Sequence, residues 1–72
     1  MKIEYSKEAD AIYVYFTEMH VAKSKEIEDG VVVDFGANGQ VIGIEVLDVS
    51  QRFSLADIVN VSIENLPVEA VK

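Results

Sequence analysis

Asp34-x-Gly36-x-Asn38-Gly39, with Glu45 at the twelfth position, has the outline of a calcium-binding loop. Its third position is Gly36, which has no side-chain oxygen, and the flanking residues have the alternation of strands and not of helices. The distance between the two carboxylates depends on the turn that joins their strands. A four-residue loop over 36–39 leaves Glu45 roughly 13 Å along the strand from the residue opposite Asp34, at about 3.3 Å per residue. A two-residue Asn38-Gly39 turn brings the pair to a diagonal of ~7–8 Å, near enough to share an ion. The same spacing lies within the roughly 5–10 Å that separates paired catalytic carboxylates. A dyad of that kind also needs a dehydrated pocket, and a sheet made by so short a chain has little volume for one. Asp34 and Glu45 therefore read as an acidic outer face, with no catalytic role expected.

The other reactive residue types lack companions. Glu8 and Asp10 sit in a polar turn before a strand, where an aspartate bonds nearby amides. His20 is the single histidine and has no partner at metal or triad spacing. Ser50, Ser54 and Ser62 have no positioned base. Gly36, Gly39 and Gly43 lie in or beside a hairpin, whereas a phosphate cradle sits between a strand and a helix. The absence of cysteine removes disulfides, thiolate metal sites and thiol nucleophiles together. No catalytic residue, cofactor site or metal site is expected.

Seventy-two residues with 6 Lys+Arg against 13 Asp+Glu make one acidic domain over 1–72, of net charge −7. Lys2, Lys7, Lys23, Lys25, Arg52 and Lys72 are scattered singly, which argues against nucleic acid and anionic membranes as partners. No apolar run has the length of a signal or a membrane span, so the expected location is the cytoplasm. A domain this small has a thin core and usually needs a staple. With no cysteine, association with another chain is the option that remains.

Alternation assigns most of the chain to strands. Lys2–Tyr5 alternates, and Ser6–Asp10 is a turn. Residues 11–16 (Ala-Ile-Tyr-Val-Tyr-Phe) are apolar on both faces, as in a central strand. After an irregular stretch over 17–24, Lys25–Ile27 pairs with Val31–Phe35. A three-residue loop with Gly30 in the left-handed region sets Lys25 opposite Val33 and Ile27 opposite Val31. Asn38-Gly39 signals a type I′ turn with positive φ at both residues, setting Phe35 against Ile42, Val33 against Ile44 and Val31 against Val46. One face, A, then carries Val31, Val33, Phe35, Ile42, Ile44 and Val46. The other, B, carries Val32, Asp34, Gly43 and Glu45.

Beyond Leu47 the period changes. Asp48-Val-Ser-Gln51 and Ser54-Leu-Ala-Asp57 both resemble helix caps. Val49, Phe53 and Ala56 form one stripe suited to covering face A. Residues 59–64 alternate like a further short strand, and Pro67 ends regular structure. The fold class is α+β: a small antiparallel sheet, a meander of about five strands, with a short C-terminal helical segment.

Two blocks, Tyr5-Ser-Lys-Glu-Ala-Asp-Ala-Ile-Tyr-Val-Tyr-Phe16 and the run from Gly30 to Ser50, resemble the small bacterial and archaeal family called domain of unknown function 2283. The resemblance covers roughly residues 1 to 52, with Glu8, Asp10, Tyr13, Asp34, Gly39, Gly43, Glu45 and Ser50 at matching positions. It implies a compact sheet domain with a C-terminal helix and no established activity. It also implies a partner role toward other small proteins, of the toxin–antitoxin kind. The second hairpin departs from the family pattern, with Gly36-Ala-Asn38 where acidic residues are expected.

Tyr13, Tyr15 and Val32 place aromatic and aliphatic surface on face B, the composition favoured at interfaces. The expected function is a non-enzymatic, self-associating interaction or regulatory module, a homodimer through that face, with an edge strand that continues the sheet as the rival route. The alternative is a small-molecule or metal-binding domain using Asp34 and Glu45.

Overall fold

The computed structural model describes residues 1–65; the proline at position 67 lies outside them. Five strands, β1 (Lys2–Ser6), β2 (Ala11–Tyr15), β3 (Lys23–Glu28), β4 (Val31–Phe35) and β5 (Val41–Leu47), precede two short helices, α1 (Val49–Arg52) and α2 (Leu55–Val59). All pairings are antiparallel, and the order across the sheet is β1-β2-β5-β4-β3. The sheet is thus a β1–β2 hairpin joined to a β3–β4–β5 meander, and not one continuous meander. Residues 16–22 carry the chain from the inside of the sheet to its far edge. β2 has apolar side chains on both faces and so gains from a neighbour on each side, and β5 offers it Ile44 and Val46 opposite Val14 and Ile12.

Both turns of the meander use one left-handed glycine. Glu28 closes on Val31 around Asp29-Gly30, with Ile27 as an extra residue in β3 and Gly30 at φ +82°. The register behind the turn is the expected one, Lys25 opposite Val33. Ile27 does not oppose Val31, because the bulge displaces it by one place. At the second turn only Gly39 has positive φ, +84°, so the type I′ expectation fails at Asn38. Gly39 N–H donates to Gly36 O, Gly36 N–H to Gln40 O, and Gln40 N–H to Asn38 Oδ1. The chain takes a wider loop here because the Asn38 amide bonds its own backbone. The loop leaves Phe35 opposite Val41 and makes Ile42 the extra residue, while Val33–Ile44 and Val31–Val46 pair as expected.

The residue that precedes α1 does not cap it. Asp48 takes φ +54° and its side chain accepts no capping bond, so the Asp48–Gln51 box does not form. Asp10, from the β1–β2 turn, does that work: its carboxylate accepts Ser50 N–H (3.0 Å) and Ser50 Oγ–H (2.7 Å), and its carbonyl accepts Val49 N–H (3.0 Å). Val49 is fully buried behind this clasp. Phe53 is extended and ends α1, and Ser54 opens α2 with the expected Ser54–Asp57 capping box. The break turns the helical stripe: Ile58, and not Ala56, joins Phe53 and Val61 over Ile3, Ile12 and Val14 on face A. Residues 60–64 form no strand. Val61 instead faces the groove over β1 and β2.

Candidate functional site

Face B gathers the residues that sequence reasoning singled out. Tyr13 stands opposite Glu45 and Tyr15 opposite Gly43, while Val32 opposes Glu45 and Asp34 opposes Gly43. Asp34 and Glu45 are therefore diagonal neighbours across β4–β5, in the closer of the two expected arrangements. Tyr13, Tyr15 and Val32 are half-buried, and the tyrosine rings stack with centroids 6.2 Å apart. Lys2 Nζ lies 5.4 Å from the Tyr15 ring centroid and 3.9 Å from Glu4.

Asp34 is only 7% exposed, and its Oδ1 accepts a 2.6 Å bond from Ser24 Oγ on β3. That bond meets part of the cost of burying the carboxylate. Gly43 makes the room: a Cβ there would stand 2.9 Å from Val14 O and 3.8 Å from Asp34 Oδ2. Burial, and then the charge of Asp34, push the Glu45 carboxyl above its ordinary range. Burial likewise raises the Tyr15 hydroxyl, helped by Glu4, Glu45, Tyr13 and Asp34. A cleft of about 330 Å³ opens beside this cluster, walled by Lys2, Tyr15, Glu18, Met19, Asp34 and Gly43 among others.

The calcium-loop pattern is not assembled as a loop. The Asp34 carboxylate is turned to Ser24 and the Asn38 oxygen to Gln40. Among the described residues no three His, Cys, Asp or Glu side chains converge as metal ligands would. His20 and Glu8 are exposed. Sequence reasoning missed Ser24, Lys2 and the clasp between Asp10 and Ser50. It also missed Arg52, whose guanidinium donates to Leu47 O (2.7 Å) and to Asp29 O, tying the end of β5 to the β3–β4 turn. Ser24 was legible in principle, since the Lys25–Val33 register places it opposite Asp34. The clasp was not, because Asp10 and Ser50 lie forty residues apart.

A putative hypoxanthine phosphoribosyltransferase of Methanosarcina mazei is 38% identical to this chain over 55 residues, 76% of the chain and 44% of that protein. An uncharacterized protein of Methanocaldococcus jannaschii is 36% identical over 55 residues, again 76% of the chain and 47% of that protein. The chain thus spans less than half the length of these curated relatives. No solved structure matches it. The family model described as protein of unknown function (DUF2283) matches residues 2–50, which include β1 to β5, the Asp10–Ser50 clasp and the whole of face B, and the chain belongs to that family.

Proposed function

We propose that this chain is a non-enzymatic interaction module of the cytoplasm that completes its core by pairing with a second copy. One observation carries the reading. Among the described residues four apolar side chains are buried, Ala11, Val33, Ile42 and Val49, against thirteen large hydrophobics that are exposed. Single exposed hydrophobics are ordinary, but here they are continuous from Ile3 and Tyr5 on β1 through Phe53 to Val61. Removing such surface from water is worth roughly 25 cal/mol per Å², a standing drive to associate.

Face B contributes less to self-pairing than its tyrosines suggest. A two-fold contact face to face would bring the Glu4, Asp34 and Glu45 cluster of one copy against the same acidic face of the other. Its charge fits a cationic partner better, such as a small basic protein. The cleft beside Asp34 favours a second reading, a cationic small ligand, although Lys2 already supplies a cation to the Tyr15 ring. The name of the Methanosarcina relative points to phosphoribosyl transfer. That chemistry needs donors or cations around a pyrophosphate, and the acidic cluster of face B would repel one. Molar mass measured by light scattering across a concentration series tests the leading reading. A mass rising toward that of two chains supports it, and a monomer throughout removes it.

A further inference from the structure

The two edges of the sheet differ in what they would make of a second copy. Both β1 and β3 are exposed. Two copies that extend a sheet antiparallel about a two-fold axis place residues at equal distances from the axis opposite each other, on the same face. For β3 (Lys-Ser-Lys-Glu-Ile-Glu) each centre from Ser24 to Ile27 opposes like charges: Lys23 with Lys25, Lys25 with itself, Glu26 with itself, or Glu26 with Glu28. The bulge at Ile27 breaks the ladder as well. β3 has the features that keep an edge unpaired.

β1 is the reverse. Centred on Ile3, Lys2 of each copy opposes Glu4 of the other, giving two ion pairs on face B. On face A, Ile3 meets its own copy. Centred on Glu4 or Lys2, like charges would oppose each other. The backbone agrees with the Ile3 centre. Phe16 N–H donates to Ile42 O on the β5 side, so Val14 and Ile12 also point to β5, and Tyr13 and Tyr15 point to β1. Lys2 and Glu4, which oppose Tyr15 and Tyr13, therefore direct their N–H and C=O groups inward, and Ile3 and Tyr5 direct theirs outward. An axis at Ile3 makes a reciprocal pair of hydrogen bonds between the two copies of that residue. Lys2 and Glu4 then fall at the closer, non-hydrogen-bonded positions, where side chains interact best. Ile3 and Tyr5 are 47% and 43% exposed, on the face bearing the groove of Phe53, Ile58 and Val61. In the pair the two grooves adjoin across Ile3.

We propose that two copies of this chain join β1 to β1, antiparallel and centred on Ile3, into one ten-stranded sheet. This rests on the self-association reading above and adds the surface and the register. The test compares Lys2→Glu, Glu4→Lys and the double variant by sedimentation equilibrium, with folding of each checked by circular dichroism. Both side chains are solvent-exposed, so the variants keep the fold. Each single variant opposes like charges twice and should raise the dimer dissociation constant about tenfold or more. The double variant restores both pairs and should dimerise like wild type. An equimolar mixture of the two single variants should also recover the dimer, as a heterodimer, since both cross-strand contacts are then opposite in charge. A wild-type dimer that the single variants leave unchanged, or that neither the double variant nor the mixture recovers, overturns the β1 register while self-association stands. A wild-type chain that stays monomeric removes both.

Discussion

Asp10→Ala removes the clasp that starts α1 and exposes how the C-terminal segment is held. Three bonds converge there: two from Ser50 to the carboxylate and one from Val49 N–H to the Asp10 carbonyl. The substitution deletes the first two, and loss of a helix cap costs about 0.5–2 kcal/mol. A further term comes from the backbone. Asp10 has φ +51°, a region that aspartate tolerates and alanine does not, for about 1 kcal/mol more. The expected loss is ~2 kcal/mol, roughly 8–16 °C in Tm for a domain of this size. Asp10→Gly separates the terms, since it loses the cap while relaxing the backbone, and should fall about 1 kcal/mol short of the alanine variant. Ser50→Ala should cost about 1 kcal/mol in wild type and close to nothing in Asp10→Ala. Urea denaturation at one fixed protein concentration measures all four, because association shifts apparent stability. An Asp10→Ala midpoint within about 0.5 kcal/mol of wild type would refute the clasp.

Gly30→Ala and Gly39→Ala both force alanine to a positive φ near 80°, for about 1 kcal/mol each. At Gly30 the added methyl also runs into the Arg52 guanidinium, whereas Gly39 has open space. Thermal melting should place Gly30→Ala at least ~1 kcal/mol below Gly39→Ala, the cost of displacing Arg52 from Leu47 O and Asp29 O. Equal losses would show that Arg52 holds nothing. Glu45 has a carboxyl raised by burial and by Asp34, so the fold prefers it protonated. Stability from this group is present below its ordinary range and is lost as pH rises through the raised folded value. Glu45→Gln should therefore melt higher than wild type at neutral pH, with the gain vanishing below roughly pH 4, where the wild-type carboxyl is protonated in both states. A gain that persists undiminished in acid would assign it to something other than charge.

The strands were legible because their apolar residues alternate, and β4 and β5 paired in register for the same reason: a slip of one residue would turn Val31, Val33, Ile44 and Val46 away from face A. Asp34 and Glu45 were placed correctly as diagonal neighbours by that register. The sheet order was less legible. Nothing local in residues 16–22 says that the chain crosses to the far edge, and only the demand of β2 for a second neighbour hints at it. The acidic Asp10 turn looked like ordinary turn chemistry because its carboxylate serves a helix forty residues away. Residues 59–64 alternate as a strand would, but Val59 closes α2 and Val61 packs into the groove over Ile3, Ile12 and Val14.

The central claim is that this chain finishes its core with a second copy of itself. Sedimentation equilibrium of the unmodified protein over a concentration series measures that directly. The expected result is an average mass that climbs from 8.0 kDa toward twice that value as concentration rises. A mass that stays at 8.0 kDa up to about 1 mM would leave at most ~4 kcal/mol for pairing and would contradict it.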